Sequence, residues 1–164
     1  MSITAIITSL DQLGELHKRL LHVSKEKTER LKKGDVTELQ KLLKIEQKHV
    51  QAVQTVEAER IKAAEEWAHS EGYQPSEATV TFILERLDAT NERDQLELAA
   101  TKLAEILVEL KAQEALNQEL TTQSLQFIRM NLDLLTPSLN NLNYGSQNNQ
   151  DDPKNKRSIF NSQA

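Results

Sequence analysis

The strongest constraint on the fold is a stretch of 46 residues, Asn91–Thr136, that contains neither Gly nor Pro. Most of its residues favour helix, so the stretch predicts one continuous helix of roughly 70 Å at ~1.5 Å rise per residue. One set of its apolar residues alternates in steps of three and four, as in the seam of a helical bundle. That set is Leu96, Ala99, Leu103, Ile106, Leu110, Leu120, Phe127 and Leu134.

A second apolar set lies about 100° around the same helix. It contains Ala100, Leu107, Leu125, Ile128, Leu132 and Leu135. Past Asn117 both sets are well populated and Met130 adds to them, so one neighbouring helix could not bury them all. The excess either packs against a third helix of this chain or binds a partner, and core packing and a binding face are compatible on different sides of the helix.

Composition narrows the function classes. The chain has 164 residues, which suits one domain, and 20 Lys and Arg against 25 Asp and Glu give a net charge of -5. This acidity argues against a nucleic-acid binder. The four Gly residues leave no Gly-rich phosphate loop, and the absence of Cys excludes disulfides and Cys-based zinc sites. The N-terminus is unlike a secretory signal, and no run of ~18 apolar residues predicts a membrane span, so we expect a cytoplasmic protein.

Two further long helices precede the central stretch. The sequence predicts a first helix at Ile3–Lys33, whose apolar seam weakens after Leu21 and therefore suggests a tip that projects past its neighbours. Gly34-Asp35 predicts a tight turn into a second helix, Val36–Ser70, that must pack antiparallel to the first. The predicted buried side of the second helix is Leu39, Leu42, Leu43, Val50, Val53, Val56, Ala64 and Trp67.

The remaining boundaries follow from Gly and Pro. Gly72 and Pro75 end the second helix, and a short helix is expected at about Glu77–Leu87, either separate from the last helix or joined to it by a kink. Pro137 is expected to end the last helix at Thr136. The predicted fold is an all-α, coiled-coil-like antiparallel bundle of three long helices with a short extra helix between the second and third. It comprises a helical domain at 1–136 and a flexible Asn/Gln-rich tail at 137–164, disordered when alone.

No constellation of catalytic residues is apparent, so the chain is expected not to be an enzyme and to need no cofactor or metal. The four His residues are scattered without metal-ligand spacing. A single exposed His on a helical bundle can accept a phosphoryl group, which keeps His49 as a minor alternative. Small residues and a Lys follow the His in such sites, and no Lys follows closely here.

Two segments resemble the FlgN family of flagellar export chaperones. NQELTTQSLQFIRMNLDLLTP, followed by NLNYG, resembles the C-terminal signature of Bacillus-type members. LHKRLLHVSKEKTERLKKGDVTELQKLLKIEQKHVQAV resembles the first hairpin of the family, so the likeness covers nearly the whole chain. The resemblance implies a cytoplasmic chaperone that holds the terminal segments of the hook–filament junction proteins FlgK and FlgL before type III export.

The resemblance also implies where partners bind. Cargo would be gripped by the C-terminal part of the last helix, here Leu116, Leu120, Leu125, Phe127, Ile128, Leu132 and Leu135. A Tyr just beyond that helix helps family members dock on the export gate protein FlhA, and the resemblance assigns this role to Tyr144, the only Tyr in the corresponding tail. The export ATPase FliI is a further expected partner, and a homodimer in the absence of cargo stays open. A structural coiled-coil protein that pairs only with its own copy is the main alternative.

Overall fold

The computed structural model describes the backbone from Ile3 to Gly145 and the side chains from Ile3 to Leu135. Its helices are α1 (Ile3–Lys33), α2 (Val36–Ser70), a 3-10 turn at Pro75–Glu77, α3 (Val80–Arg86) and α4 (Asn91–Gly145). This part of the chain has no strand, and the prediction of an all-α fold with a short helix between two long ones is confirmed. By its contacts the chain divides into two units, Met1–Thr121 and Thr122–Ala164. Within the described span, none of the helices carries an apolar run sufficient to cross a bilayer.

The turn between α1 and α2 is built as the sequence predicts. Gly34 adopts a φ of +67°, in the left-handed region that residues with a Cβ rarely enter. The backbone N–H of Asp35 donates to the carbonyl oxygen of Arg30 at 3.0 Å, which closes the end of α1. The side chain of Asp35 then accepts a hydrogen bond from the backbone N–H of Glu38 at 3.1 Å and caps α2. The two helices therefore reverse direction within two residues.

Removing this cap gives a first testable prediction. Asp35→Ala should lower the free energy of unfolding by about 1 kcal/mol, because the N–H of Glu38 loses its acceptor. Urea unfolding followed by circular dichroism measures the change. Asp35→Asn retains a capping oxygen and should stay close to the wild type; equal losses in both variants would show that the cap is not responsible.

The hydrophobic core of the first unit joins four helices near the start of α1. Its buried members are Ile3, Ile6 and Leu10 of α1, Ala63, Ala64, Trp67 and Ala68 of α2, Ile83 of α3, and Leu96 and Ala99 of α4. Because the start of α1 meets the end of α2 and the start of α4, α2 runs antiparallel to α1 whereas this part of α4 runs parallel to it. The predicted helical bundle is confirmed in this unit.

An aromatic cluster closes this end of the core. Trp67 is 6% exposed, and its ring stacks on Tyr73 with centroids 6.1 Å apart. Tyr73 meets Phe82 of α3 edge to face at 5.2 Å, and the Arg86 guanidinium lies 3.3 Å from the centre of the Phe82 ring. Residues after α2 thus fold back onto its last turn, which attaches α3 to the bundle.

A buried polar layer joins α1 to α4 farther along the bundle. Ser24, Thr28 and Asn117 are each at most 5% exposed. The Asn117 amide donates to the Ser24 carbonyl oxygen at 2.9 Å and to the Ser24 hydroxyl at 3.1 Å. Asn117 Oδ1 accepts from the Thr28 hydroxyl, which itself accepts from the side-chain amide of Gln113. These polar groups can be buried because they form hydrogen bonds with one another.

Lys27 adds a charged contact that joins all three long helices. Its side chain is 8% exposed, and its ammonium lies 2.5 Å from Glu46 of α2 and 3.0 Å from Glu114 of α4. Burial acts to lower the pKa of Lys27, but the hydrogen bonds that its ammonium donates to Glu46 and Glu114 outweigh burial and raise the pKa above its ordinary 10.5. The prediction that α1 projects past its neighbours after Leu21 was therefore wrong, because polar residues continue the packing there.

The predicted buried side of α2 is partly corrected. Leu42, Ala64 and Trp67 are buried as expected, whereas Leu43 and Val50 are 48% and 39% exposed. Leu43 lies about 100° around the helix from Leu42. The bundle covers only the Leu42 side in this part of α2, whereas near the end of α2 the adjacent residues Ala63 and Ala64 are both buried.

The predicted end of the last helix at Thr136 was also wrong, since α4 continues through Pro137 to Gly145. Proline has a φ compatible with helix, so a helix can pass through it at the cost of one hydrogen bond and a local clash. The division at 136/137 into helical domain and tail stays a prediction. Residues 146–164, with most of the predicted tail, lie outside the described residues.

Candidate binding face on the last helix

Burial of α4 ends where the first unit ends. Leu96, Ala99 and Asn117 are at most 5% exposed, whereas every side chain from residue 121 to residue 135 is exposed. Leucine, isoleucine and phenylalanine are normally among the most buried residue types. A run of them on one exposed helical segment therefore marks a candidate interaction surface.

Four aliphatic residues of this segment share one helical face. Leu125, Ile128, Leu132 and Leu135 recur in steps of three and four, and their exposed fractions are 52%, 53%, 58% and 56%. We call these four residues the aliphatic face. Such spacing matches the positions with which an amphipathic helix binds its partner.

A second exposed set lies on another side of the same segment. Phe127 and Leu134 are seven residues apart and are 64% and 70% exposed, and Met130 is 59% exposed. Phe127 is about 100° around the helix from Ile128. Apolar groups on two sides allow the segment to contact more than one surface of a partner.

The predicted cargo-binding residues therefore have different surroundings. Leu120 is partly buried, whereas the other six are exposed, namely Leu116, Leu125, Phe127, Ile128, Leu132 and Leu135. Tyr144 falls in the last turn of α4, and its side chain lies outside the described residues. The binding roles of all these residues stay predictions.

Within the described residues, no group of three or more His, Cys, Asp or Glu side chains could hold a metal ion. His49, the alternative phosphoryl acceptor, lies at the edge of a groove between α1 and α2 with His22 and Ile45. A two-pronged, partly buried ion pair joins Glu57 and Arg60 of α2, at 2.6 and 2.8 Å. The hydrogen bond from Arg60 lowers the pKa of Glu57, which holds that carboxylate ionised as a salt-bridge partner.

Sequence reasoning missed the polar residues that fix α4 before the exposed segment begins. Their signal was present in the spacing, because Ser24 and Lys27 occupy seam positions of α1. Asn117 follows Leu110 by seven residues and so occupies a seam position of α4. A polar residue at such a position specifies how helices align, at a cost in stability.

Comparisons with known proteins agree with the residue patterns. A family model described as FlgN protein matches residues 1–151. The chain is 37% identical over 165 aligned residues to the uncharacterized protein YvyG of Bacillus subtilis (strain 168), and the alignment covers 100% of both chains. No solved structure matches significantly.

Proposed function

Since this chain belongs to the FlgN family of flagellar export chaperones, we propose that it binds the terminal helical segments of the hook–filament junction proteins FlgK and FlgL. The observation that carries the proposal is the aliphatic face, whose four residues are all more than half exposed. The protein would work in the cytoplasm, keep these segments monomeric and deliver them to the export gate. No step of this activity requires a reaction on the cargo, a cofactor or a metal.

The exposed area of the aliphatic face limits how much binding energy it can contribute. Full burial of an aliphatic side chain contributes roughly 1.5–3 kcal/mol, and the four residues of the aliphatic face are already about half covered. Four of them together would contribute about 3–6 kcal/mol, and Phe127 and Met130 would add to this if the cargo reaches them. Ordering a disordered cargo segment costs about 2–5 kcal/mol or more, and association has a further cost. These costs are at least as large as the contribution of the aliphatic face, so a stable complex also requires contacts of the cargo with other residues of α4.

Delivery would use residues beyond the aliphatic face. We propose that Tyr144 contributes to docking on the export gate protein FlhA, with FliI as a further contact. Its place in the final turn of α4 puts it beyond the cargo-binding residues along the chain. Cargo and gate would therefore bind to successive segments.

Co-purification tests the proposal. Full-length protein and a truncation after Pro137 are each mixed with FlgK, with FlgL and with the cytoplasmic part of FlhA. Both forms should retain FlgK and FlgL, and the truncation should lose FlhA. If the full chain retains neither FlgK nor FlgL, the chaperone role is refuted. A stable oligomer in light scattering that cargo does not change would instead indicate a structural protein that pairs with its own copy.

A further inference from the structure

Charge is distributed unevenly along this chain, and the excess positive charge lies at the α1–α2 turn. Residues 16–50, which we call the hairpin end, contain 10 of the 20 Lys and Arg residues but only 5 of the 25 Asp and Glu residues. The hairpin end therefore carries +5, whereas the rest of the chain carries -10. Solubility alone does not require the positive and negative charges of a chain to be separated in this way.

Half of these cations are already neutralised by neighbours. Lys27 lies between Glu46 and Glu114, Lys18 contacts Glu15, Arg30 contacts Asp35, Lys32 contacts Glu29, and Lys41 contacts Glu38. Five exposed cations have no carboxylate within 4.0 Å among the described residues, although Arg19 lies near enough to Glu15 to affect it: Arg19, Lys25, Lys33, Lys44 and Lys48. The positive charge of the hairpin end is thus available to another molecule.

The same region has a shallow groove in which two apolar side chains lie among charged ones. It lies between α1 and α2, is open to solvent and has a volume of about 410 Å³ beside Val23, Ile45, Arg19 and His49. Ile45 is 44% exposed and stands between Lys44 and Lys48 of the same helical segment. Two Glu residues also line the groove: Glu15 contacts Lys18 at 2.8 Å, and Glu26 lies 3.6 Å from His22.

We propose that the hairpin end is a second docking surface, which binds an acidic amphipathic helix of a partner protein. Aliphatic residues of that helix would enter the groove against Val23 and Ile45, and its carboxylates would face Arg19, Lys44 and Lys48. A shallow groove with Val23 and Ile45 beside exposed cations offers an amphipathic acidic helix both apolar and charged contacts, whereas a nucleic-acid backbone would use the cations alone. The surface goes beyond the proposed cargo binding, since it uses α1 and α2 and none of the residues from 121 to 135.

Two designed peptides test this assignment. Each has about 18 residues, enough for five helical turns, with Leu along one face and either Glu or Lys along the other. Fluorescence anisotropy with the full-length protein should show the Glu peptide binding at least about tenfold more tightly than the Lys peptide at low salt. The difference should shrink as salt rises from about 50 to 500 mM, because exposed charges are screened. Equal binding of the two peptides would overturn the proposal.

Charge reversals locate the surface. Lys44→Glu with Lys48→Glu should weaken the Glu peptide about tenfold. Lys102→Glu with Lys111→Glu makes the same change in net charge on α4 and should have little effect. If both pairs weaken the peptide equally, the effect is due to net charge alone and the hairpin end is not the site.

Three further measurements separate this proposal from its competitors. The protein is also mixed with vesicles, with and without phosphatidylglycerol, and with a DNA duplex. Any binding to them should be unchanged by the Lys44 and Lys48 reversals. If the protein binds vesicles or DNA more tightly than the Glu peptide, the surface is a membrane or nucleic-acid site instead. If the protein self-associates and the same reversals abolish this, the occupant is a second copy of this chain.

The variant Leu125→Gln, Ile128→Gln, Leu132→Gln should keep the preference for the Glu peptide even if it no longer binds FlgK and FlgL. The two proposals can therefore be refuted independently.

Discussion

Replacing Leu125, Ile128 and Leu132 together with Gln should weaken binding of FlgK or FlgL by about thirtyfold to several-hundredfold. Each residue is more than half exposed, so about half of its 1.5–3 kcal/mol of burial energy is still available for a partner. Three such losses amount to about 2–4 kcal/mol, and each 1.4 kcal/mol is tenfold in affinity. Isothermal titration calorimetry with purified junction protein measures the change. Helical content should remain, because Gln favours helix nearly as well as Leu.

The matched control changes exposed apolar residues elsewhere on the same helix. Leu98 and Val108 are 54% and 70% exposed, so Leu98→Gln with Val108→Gln removes comparable surface from α4 before residue 121. That variant should bind cargo like the wild type. If the triple variant loses its circular dichroism signal, the three residues stabilise the fold and are not a binding site; if it keeps both helix and cargo, the cargo binds elsewhere.

Replacing Lys27 should cause the largest loss of stability available from a single charged residue. Lys27→Ala should lower the free energy of unfolding by about 3 kcal/mol, because it leaves Glu46 and Glu114 facing each other without a cation. This value is at the lower end of the usual loss of stability for a broken buried ion pair, since the Glu46 and Glu114 side chains are 27% and 43% exposed and keep some hydration. Urea unfolding followed by circular dichroism measures the difference.

A graded series separates charge from packing at this position. Lys27→Met retains most of the aliphatic stem and should lose less stability than Lys27→Ala. Adding Glu46→Gln and Glu114→Gln to Lys27→Met should recover most of the loss, because no uncompensated charge then remains. A Lys27→Met variant as stable as the wild type would show that the ion pairs do not support the bundle.

The effect of pH on this contact has a defined sign. The pKa of Lys27 is raised in the folded state, so its contribution to stability is complete below the ordinary value of 10.5. It is lost only as pH rises through the raised pKa. The stability difference between wild type and Lys27→Met should therefore stay constant from about pH 7 to pH 9. A difference that falls steadily across that range would contradict the raised pKa.

Local sequence signals were sufficient for the helices whose ends depend on backbone geometry. Gly34 and Asp35 predicted the first turn because a left-handed residue and a capping carboxylate act within a few residues of chain. Pro137 led to a wrong prediction of the end of α4, because the φ of proline suits a helix and proline removes only one of the many hydrogen bonds of a long helix. A local rule cannot weigh that loss against the residues on either side.

The exposed face was predictable in part, and the polar layer was not. Two apolar sets past Asn117 indicated more surface than one neighbour covers, which agrees with the exposure of Leu125 and Ile128. Ser24 and Lys27 were interpreted as a weakening seam, because helical periodicity treats polar residues as solvent-facing. Their partners, Asn117 and Glu114, are about 90 residues away in sequence. Such a match becomes visible only when the helices are placed side by side.

The position of the single tryptophan gives this chain a built-in optical reporter. Trp67 is enclosed by the core cluster and stacks on Tyr73, so its emission responds to opening of the first unit. The segment from 121 to 135 carries Phe127 as its one aromatic residue and contributes no tryptophan signal of its own. A change in emission on mixing with a tryptophan-free ligand would therefore register a rearrangement of the core rather than simple occupancy of the last helix.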